Sequence, residues 1–563
     1  MSLPPLANLF AAHDPDPLRL ADLAADLEAT GEFAVVWHPA PGWVAAAAPL
    51  PGGPADAGPR RNGHAFAEGR EGEGDAGFIR FDPAGAATVT RSCGGLVPFY
   101  LWQSDSRMAA ATRLGDFVRF LPDEPRLDPL VNAVWTTGHG CFPDGRTFLA
   151  GVRLLGRGCR ARLEPDRQIV MERYWNPRLG SLLRPSPGRA REHAERLRTL
   201  LLDKLARDLD PEGGNLLTLS GGVDSTSLAA LATRALGRPV WTWSLLPDPE
   251  DRYRHEMSYI APLLQECRIE RSWVVRLCAE TRLELLRQAP RVVFHVIHPA
   301  LCALPGILRE APVRVLFGGE FADEVCGSAF TWPDWVAHTS IFDLLAHPRS
   351  LPTGPRDVLR WAKRRVLSAA GRPVLPFPPH LPEFIRTEVR EDYRAWLDRR
   401  CRRAAEDREA LPYLALRAEA DGFVAMNWEA ASALGVRRSF PFFSREALEL
   451  AFECHPAEVV GPGTKRLLRR ALRGDVPARN LDRPDKGHWG TYLNGAHVPW
   501  TEPLDELLEP IVRDDWCPRP PATLELWDTH GLTQLTVFAE SLRRRRIART
   551  MNRGRALATA TSR

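Results

Sequence analysis

The chain has 563 residues, with 74 Lys or Arg against 70 Asp or Glu and a formal charge of +4 at pH 7. That length suggests two to four domains, and so slight a basic excess gives no electrostatic case for nucleic-acid binding. No stretch of about 18 apolar residues exists to form a transmembrane helix, and none of the ten cysteines forms a CxxC pair of the kind that zinc ribbons and redox motifs use. The opening MSLPPLANLFAAHDPDPLRL has neither a basic segment nor a long apolar stretch. A secretory signal is therefore not expected, and a cytoplasmic location with reduced thiols is. Only Lys204, Lys363, Lys465 and Lys486 are lysines, leaving 70 arginines among the 74 basic residues. A chain that defaults to arginine makes each lysine worth locating, because a compact ammonium and a planar guanidinium are not interchangeable in a site.

Residues 1–185 read as β-rich. Short runs at 33–38, 43–48, 77–81 and 87–91 are separated by Gly, Pro and Asp, and further strands are expected within 96–103 and 147–166. Residues 51–76, rich in Gly, Ala and charge, read as a long loop. Beyond the RPSPGRA stretch, 191–209 carries apolar residues at helical spacing. The chain then alternates: strand 215–219, helix 225–236, strand 240–245, helix 256–266, and strands 274–277 and 313–317. That order predicts a parallel sheet with ligands at the C-terminal ends of its strands. Residues 340–470 read as mostly helical, and the Arg543–Arg546 run as a helix face.

The strongest chemical signal is LLTLSGGVDSTSLAAL, residues 216–231. A buried strand ends at Ser220-Gly221-Gly222-Val223-Asp224-Ser225 and a helix follows at once. Gly221 and Gly222 let the backbone approach an anion. The hydroxyls of Ser220, Ser225 and Thr226 and the free N–H groups of the helix offer donors to phosphate. Asp224 offers a hard oxygen to Mg²⁺. The pattern is not a Walker A loop, which needs GxxxxGK[ST]. The second signal, FGGEFADEVCGS at 317–328, also follows a strand. Gly318 and Gly319 permit close backbone approach, and Asp323 is placed to complete a Mg²⁺ site with Asp224. The third is ASALGVRRSFPFFSREALELAF (431–452) followed by GTKRLLRRALRGDVPARNLDRPDKGHWG (463–490), which holds Lys465 at a helix start and Lys486 in a Pro/Gly turn.

SGGVDS resembles the pyrophosphate loop of the ATP-pyrophosphatases, which cleave ATP between the α- and β-phosphates. Residues 190–495 resemble the synthetase domain of asparagine-synthetase-like enzymes, with SGGVDS, GGEFADE, PFFSRE, Lys465 with LLRRAL, and DRPDK in the family's order. GGLVPFYLW and TFLAGVRLLGRGCRARLE resemble, more weakly, parts of its N-terminal-nucleophile (Ntn) glutaminase domain. The resemblance implies an α+β, Ntn-hydrolase-like β-sandwich over 1–185, followed over 190–563 by an α/β ATP-pyrophosphatase (adenine nucleotide alpha-hydrolase-like) synthetase domain with a parallel sheet and helical additions. It implies ATP and Mg²⁺ as cofactors. Ser220, Gly221, Gly222, Asp224 and Ser225 would hold pyrophosphate and metal, with Asp323 as second metal ligand. Gly318 and Gly319 would line the adenosine site, and Glu320 would lie near the reacting carboxylate. Lys486 would stabilise the adenylate and its tetrahedral successor, although it stands one residue later after the preceding proline than the family's lysine, which keeps Lys465 in contention.

Glutamine-using members carry cysteine directly after the initiator methionine; this chain has Ser2 followed by Leu3, Pro4 and Pro5. The expectation is therefore an inactive glutaminase half and an amine supplied by the substrate or by free ammonia. The segment 318–340, with its aromatic 330–335 stretch, resembles lasso-peptide macrolactam synthetases most, with β-lactam synthetases as further relatives. The leading expectation is an ATP-dependent amide ligase that adenylates an Asp or Glu side chain of a precursor peptide and joins it to the peptide's N-terminal amine. Glu320 or Glu429 would take the amine's proton. Its partners would be the precursor peptide, a leader peptidase and a leader-binding protein, with neither nucleic acid nor membrane. The rival readings are an ammonia-dependent asparagine synthetase or small-molecule cyclase, a tRNA-modifying ATP-pyrophosphatase, and a non-catalytic scaffold.

Overall fold

The computed structural model describes residues 7–30, 32–49, 64–68, 77–121, 128–136, 141–175, 186–247, 250–277, 299–327, 359, 362, 363, 366, 381, 385–406, 411–454, 456–459, 465–483, 497–499 and 523–525. The N-terminal strands are β1 (Ala7–His13), β2 (Val35–Trp37), β3 (Trp43–Pro49), β4 (His64–Glu68), β5 (Gly77–Phe81), β6 (Ala87–Thr90), β7 (Tyr100–Gln103), β8 (Met108–Ala111), β9 (Arg153–Leu154), β10 (Cys159–Leu163) and β11 (Val170–Arg173). They form two antiparallel sheets, ordered β2-β3-β1-β8-β7-β9 and β11-β10-β6-β5-β4. Side chains of a strand alternate between faces, and β1 shows what that does here. Its Leu9 and Ala11 pack with Ile79, Phe81, Val89 and Leu163 of the second sheet. Its Phe10 and Ala12 pack instead with Leu20, Leu23 and Leu27 of helix α1 (Pro17–Ala29) and with Trp396 and Met426 from the C-terminal half. The first sheet is thus covered on both faces, by a sheet on one side and helices on the other. Asp16 caps α1 by accepting from the Leu18 N–H, with Pro17 in the first turn.

The strands expected at 33–38, 43–48, 77–81 and 87–91 are all present, with shifted ends. Elements that were not expected include β1, α1, β8, β11, the helix Pro129–Thr136, and β4, which lies inside the supposed 51–76 loop and pairs with β5. A strand so short is set by its partner rather than by its own sequence.

The second half is built on a parallel sheet. Helix α2 (Pro187–Asp208) leads into β12 (Asn215–Thr218), α3 (Val223–Ala230), β13 (Trp241–Pro247), α4 (Glu250–Glu266), β14 (Ser272–Leu277), α5 (Pro299–Glu310), β15 (Val315–Phe317), α6 (Ala322–Cys326), α7 (Thr387–Glu406), α8 (Leu411–Ala433), β16 (Arg437–Ser439), α9 (Arg445–Glu453) and α10 (Arg466–Ala471). The order is β14-β13-β12-β15-β16, and every pairing is parallel. Leu217 and Phe317 face one core and Leu216 and Leu316 the other, so both faces are apolar, as a parallel sheet requires. From β12 the chain builds outward through β13 to β14, then returns to place β15 on the other side of β12. The switch point lies between β12 and β15, where such sheets open a crevice beyond their strand ends. Strand β16 was missed because Arg-Arg-Ser has no strand signature. Its place comes from pairing with β15 and from burial beneath the loops.

Candidate active site

The two motifs meet at that switch point. Leu217 of β12 and Phe317 of β15 are in register, so the SGGVDS loop and the GGEFAD loop leave the sheet side by side. Gly319 is where they touch: a Cβ there would stand 2.9 Å from the Ser225 amide nitrogen and 3.0 Å from the Asp224 Cβ. In the first loop Gly221 has φ +68°, left-handed backbone that suits glycine. The Ser225 hydroxyl accepts from the Ser220 N–H at 3.1 Å and lies 3.2 Å from the Ser220 hydroxyl. Both hydroxyls therefore sit at the start of α3, beside its N-terminal amides. Thr226 corrects the sequence reading. It is fully buried, and its hydroxyl donates to the Gly222 carbonyl at 2.8 Å, so it braces the helix start and is no phosphate donor.

The second loop is held by aromatic packing. Phe321 has φ +70°, and its ring stacks on Phe443 at 4.0 Å with Phe440 edge-on at 5.1 Å. Strained backbone of this kind persists only where the surroundings over-determine it, and here three buried rings do so. The turn sends Glu320 back over the glycine pair: a Cβ on Gly318 would fall 1.6 Å from Glu320 Oε2. Arg438 of β16, almost fully buried, donates from Nη2 to Glu320 Oε1 at 2.7 Å. Burial lowers the Arg438 guanidinium against the opposing pull of Glu320.

Lys465 completes the arrangement. It is 3% exposed and precedes α10 with φ +55°, and its N–H donates to the Gly327 carbonyl at 3.0 Å. Its ammonium reaches between the loops, donating to Asp224 Oδ2 and lying 2.9 Å from Asp323 Oδ1. Burial works against that charge, but Asp224 and then Asp323 outweigh it and hold the ammonium well above the ordinary lysine value. Two carboxylates on neighbouring strand ends thus converge on one cation. Hard oxygens so placed are the donor set that Mg²⁺ takes beside phosphates. At nearby Cys326, burial and then the Asp224 charge push the thiol well up.

Of the sequence-selected residues, Ser220, Gly221, Gly222, Asp224, Ser225, Gly318, Gly319, Glu320, Asp323 and Lys465 come together. Lys486 and Arg543–Arg546 lie outside the described residues. Glu429 stands elsewhere and its assignment as a base is corrected. On α8 it is buried against the N-terminal half, where its carboxylate accepts from the Leu114 N–H and bonds the Tyr100 hydroxyl. Its charge is spent on joining the two halves.

Sequence reading also missed the support under the SGGVDS loop. Arg483 makes two bonds to the buried Glu256, at 2.9 and 2.7 Å, and stacks on Tyr259. Asn480 donates to the Tyr259 carbonyl at 3.1 Å. A Cβ on Gly221 would meet Arg483 Nη1 and Tyr259 Cβ, both at 3.2 Å. The signal was available in part, since Arg483 is the second residue of the DRPDK turn.

The family model described as asparagine synthase matches residues 196–559. A Mycobacterium bovis protein carrying the name "Putative asparagine synthetase (glutamine-hydrolyzing)" is 27% identical over 400 residues, 63% of this chain and 58% of that protein. Two Mycobacterium tuberculosis proteins of the same name match equally. The chain therefore spans somewhat over half the length of these relatives. Among solved structures, NMN synthetase from Francisella tularensis aligns at 20% identity and TM-score 0.18 over 24% of this chain and 57% of that one. The U34-tRNA thiolase of Methanococcus maripaludis aligns at 13% identity and TM-score 0.20 over 42% of this chain and 80% of that one. The family match spans well over half of the chain and takes in every residue of the site: the chain belongs to the asparagine synthase family.

Proposed function

We propose that the protein is an ATP-dependent amide ligase that releases AMP and pyrophosphate and closes a macrolactam in a precursor peptide. The observation that carries the ligase reading is the convergence of Asp224 and Asp323 on Lys465 at the ends of two adjacent parallel strands. The SGGVDS loop receives the phosphates of ATP with the α3 amides and the Ser220 and Ser225 hydroxyls. Asp224 and Asp323 would hold Mg²⁺, which supplies positive charge to the phosphates. Lys465 adds a fixed ammonium to the same charge, and Gly318 and Gly319 give the nucleotide close approach to backbone. An Asp or Glu side chain of the peptide attacks the α-phosphorus and pyrophosphate leaves. The peptide's N-terminal amine then attacks the activated carbonyl and AMP leaves. Glu320, tied to Arg438, takes the proton that the amine gives up, and Lys486 stabilises the oxyanion.

The macrolactam reading rests on the resemblance of 318–340 to lasso cyclases; residues 328–340 lie outside the described ones. The two packed antiparallel sheets support an Ntn-type, glutaminase-like origin for 1–185, with 190–563 as the synthetase domain. A precursor peptide, a leader peptidase and a leader-binding protein are the proposed partners. The relatives' name favours a second reading, amidation of aspartate. Product mass decides. ATP-dependent loss of one water from a core peptide supports the macrolactam; asparagine formed from aspartate and ammonium, with the peptide unchanged, replaces it.

A further inference from the structure

Away from the nucleotide loops, three side chains of different donor chemistry meet beneath α2. His193 lies on α2, Cys454 directly follows α9, and Glu458 belongs to the short helix Pro456–Val459. His193 Nδ1, Cys454 Sγ and a Glu458 carboxylate oxygen all lie within 4.8 Å of one another. His193 Nδ1 is 2.7 Å from Glu458 Oε2. All three residues are buried, at 8%, 3% and 4% exposure, among Ala194, Leu197, Leu450 and Val459. The proposed ligase chemistry uses none of them. We infer that His193, Cys454 and Glu458 bind a zinc-class divalent metal ion, which fastens α2 to the segment leading to Lys465.

The donor set selects the metal. Mg²⁺ and Ca²⁺ take oxygen ligands, whereas one nitrogen, one sulfur and one carboxylate oxygen suit Zn²⁺. Bond lengths of about 2.0–2.3 Å place the ligand atoms of a tetrahedral zinc roughly 3.3–3.8 Å apart. The 2.7 Å His193–Glu458 contact is shorter than that range and opens slightly when an ion enters, and every separation among the three atoms lies within 4.8 Å. On binding, the Cys454 thiol gives up its proton, and the thiolate and the Glu458 carboxylate together match the dication. Three protein ligands leave the fourth position to water. The placement has a structural consequence: Glu458 stands seven residues before Lys465 in the chain, so an ion here anchors one end of the segment that delivers the ammonium.

The test uses the full chain, stripped with chelator, loaded with zinc and passed through gel filtration before its metal content is measured. One zinc per chain is expected, held against excess magnesium. Cys454→Ser and His193→Gln should each bind zinc about 100-fold or more weakly, while Cys267→Ser, a buried cysteine elsewhere, should bind as the parent does. No retained zinc in the parent, or unchanged zinc in both C454S and H193Q, overturns the site. Should either variant fail to fold, cobalt(II) titration of the parent decides: a thiolate-to-cobalt charge-transfer band supports the site and its absence overturns it.

Discussion

Both halves of the molecule use buried ion pairs as fasteners, Arg483 with Glu256 in the parallel half, but the parallel half also gathers charge at one site. In the antiparallel half, acids and bases pair off as fasteners between segments: Arg107 with Asp14 at 2.7 Å, Arg113 with Glu32 at 3.2 Å, and Arg146 with Asp128 at 2.7 Å. In the parallel half, Asp224, Asp323 and Lys465 gather at one place. The difference follows from topology. Antiparallel strands end alternately at both edges of a sheet, which scatters their loops, whereas parallel strands all end at the same edge. The lesson is that a buried carboxylate does not mark a site; its place on the fold does. Glu429 and Asp224 look alike in sequence, yet Glu429 on α8 fastens its half to the N-terminal one, whereas Asp224 stands where the loops of two parallel strands meet.

Substitutions sharpen the contrast. The largest effect is expected for Asp224→Ala, with a fall of about 1000-fold in pyrophosphate release, the order seen when charge stabilisation is removed from an active site. Next comes Lys465→Met, with a loss of about 100-fold. It also leaves two carboxylates facing each other, at a stability cost of about 3–5 kcal/mol in denaturant unfolding. Lys465→Arg should not restore activity, although arginine serves nearly everywhere else in this chain, because a planar fork cannot replace an ammonium between two loops. Gly318→Ala drives Glu320 off its seat and should cost about 10-fold in activity with an unchanged fold by circular dichroism. Smallest is Glu429→Gln. It should cost about 1–3 kcal/mol of stability through weakened bonds to Leu114 and Tyr100, with pyrophosphate release within about 3-fold of the parent. A loss of about 100-fold or more there, the scale of a missing general base, would erase the distinction between the halves.

The Lys465 ammonium sets a pH expectation with a definite sign. Its folded value is raised above that of the unfolded chain, so its stabilising contribution is complete below about pH 10. It is lost only as pH rises through the raised value. Stability differences between the parent and K465M should therefore stay constant from about pH 6 to 9. A difference that shrinks within that range would contradict the paired, buried ammonium.

Much of the parallel half was legible in the sequence. β12 and β15 are apolar runs cut off by the Gly-rich turns that carry the chemistry, and β13 is an apolar run cut off by Asp248 and Pro249. What the sequence hid was tertiary. Arg437–Ser439 becomes a strand only because β15 offers an edge. Glu429 sits on a helix whose local sequence does not say which neighbour that face meets. The scarcity of lysine drew attention to both Lys465 and Lys486, but only the fold shows Lys465 reaching Asp224 and Asp323, 241 residues away in the first case. Cys454 and Glu458 look unremarkable in sequence for the same reason, since His193 comes from a distant helix.

The central claim is that Asp224, Asp323 and Lys465 form one site that splits ATP between its α- and β-phosphates. Phosphorus NMR of reactions with acceptor peptide tests it most directly. The account predicts AMP and pyrophosphate in equal amounts from the parent and from E429Q, with both products formed about 1000-fold more slowly by D224A and about 100-fold more slowly by K465M. ADP and phosphate as products, or undiminished AMP formation by D224A, would contradict it.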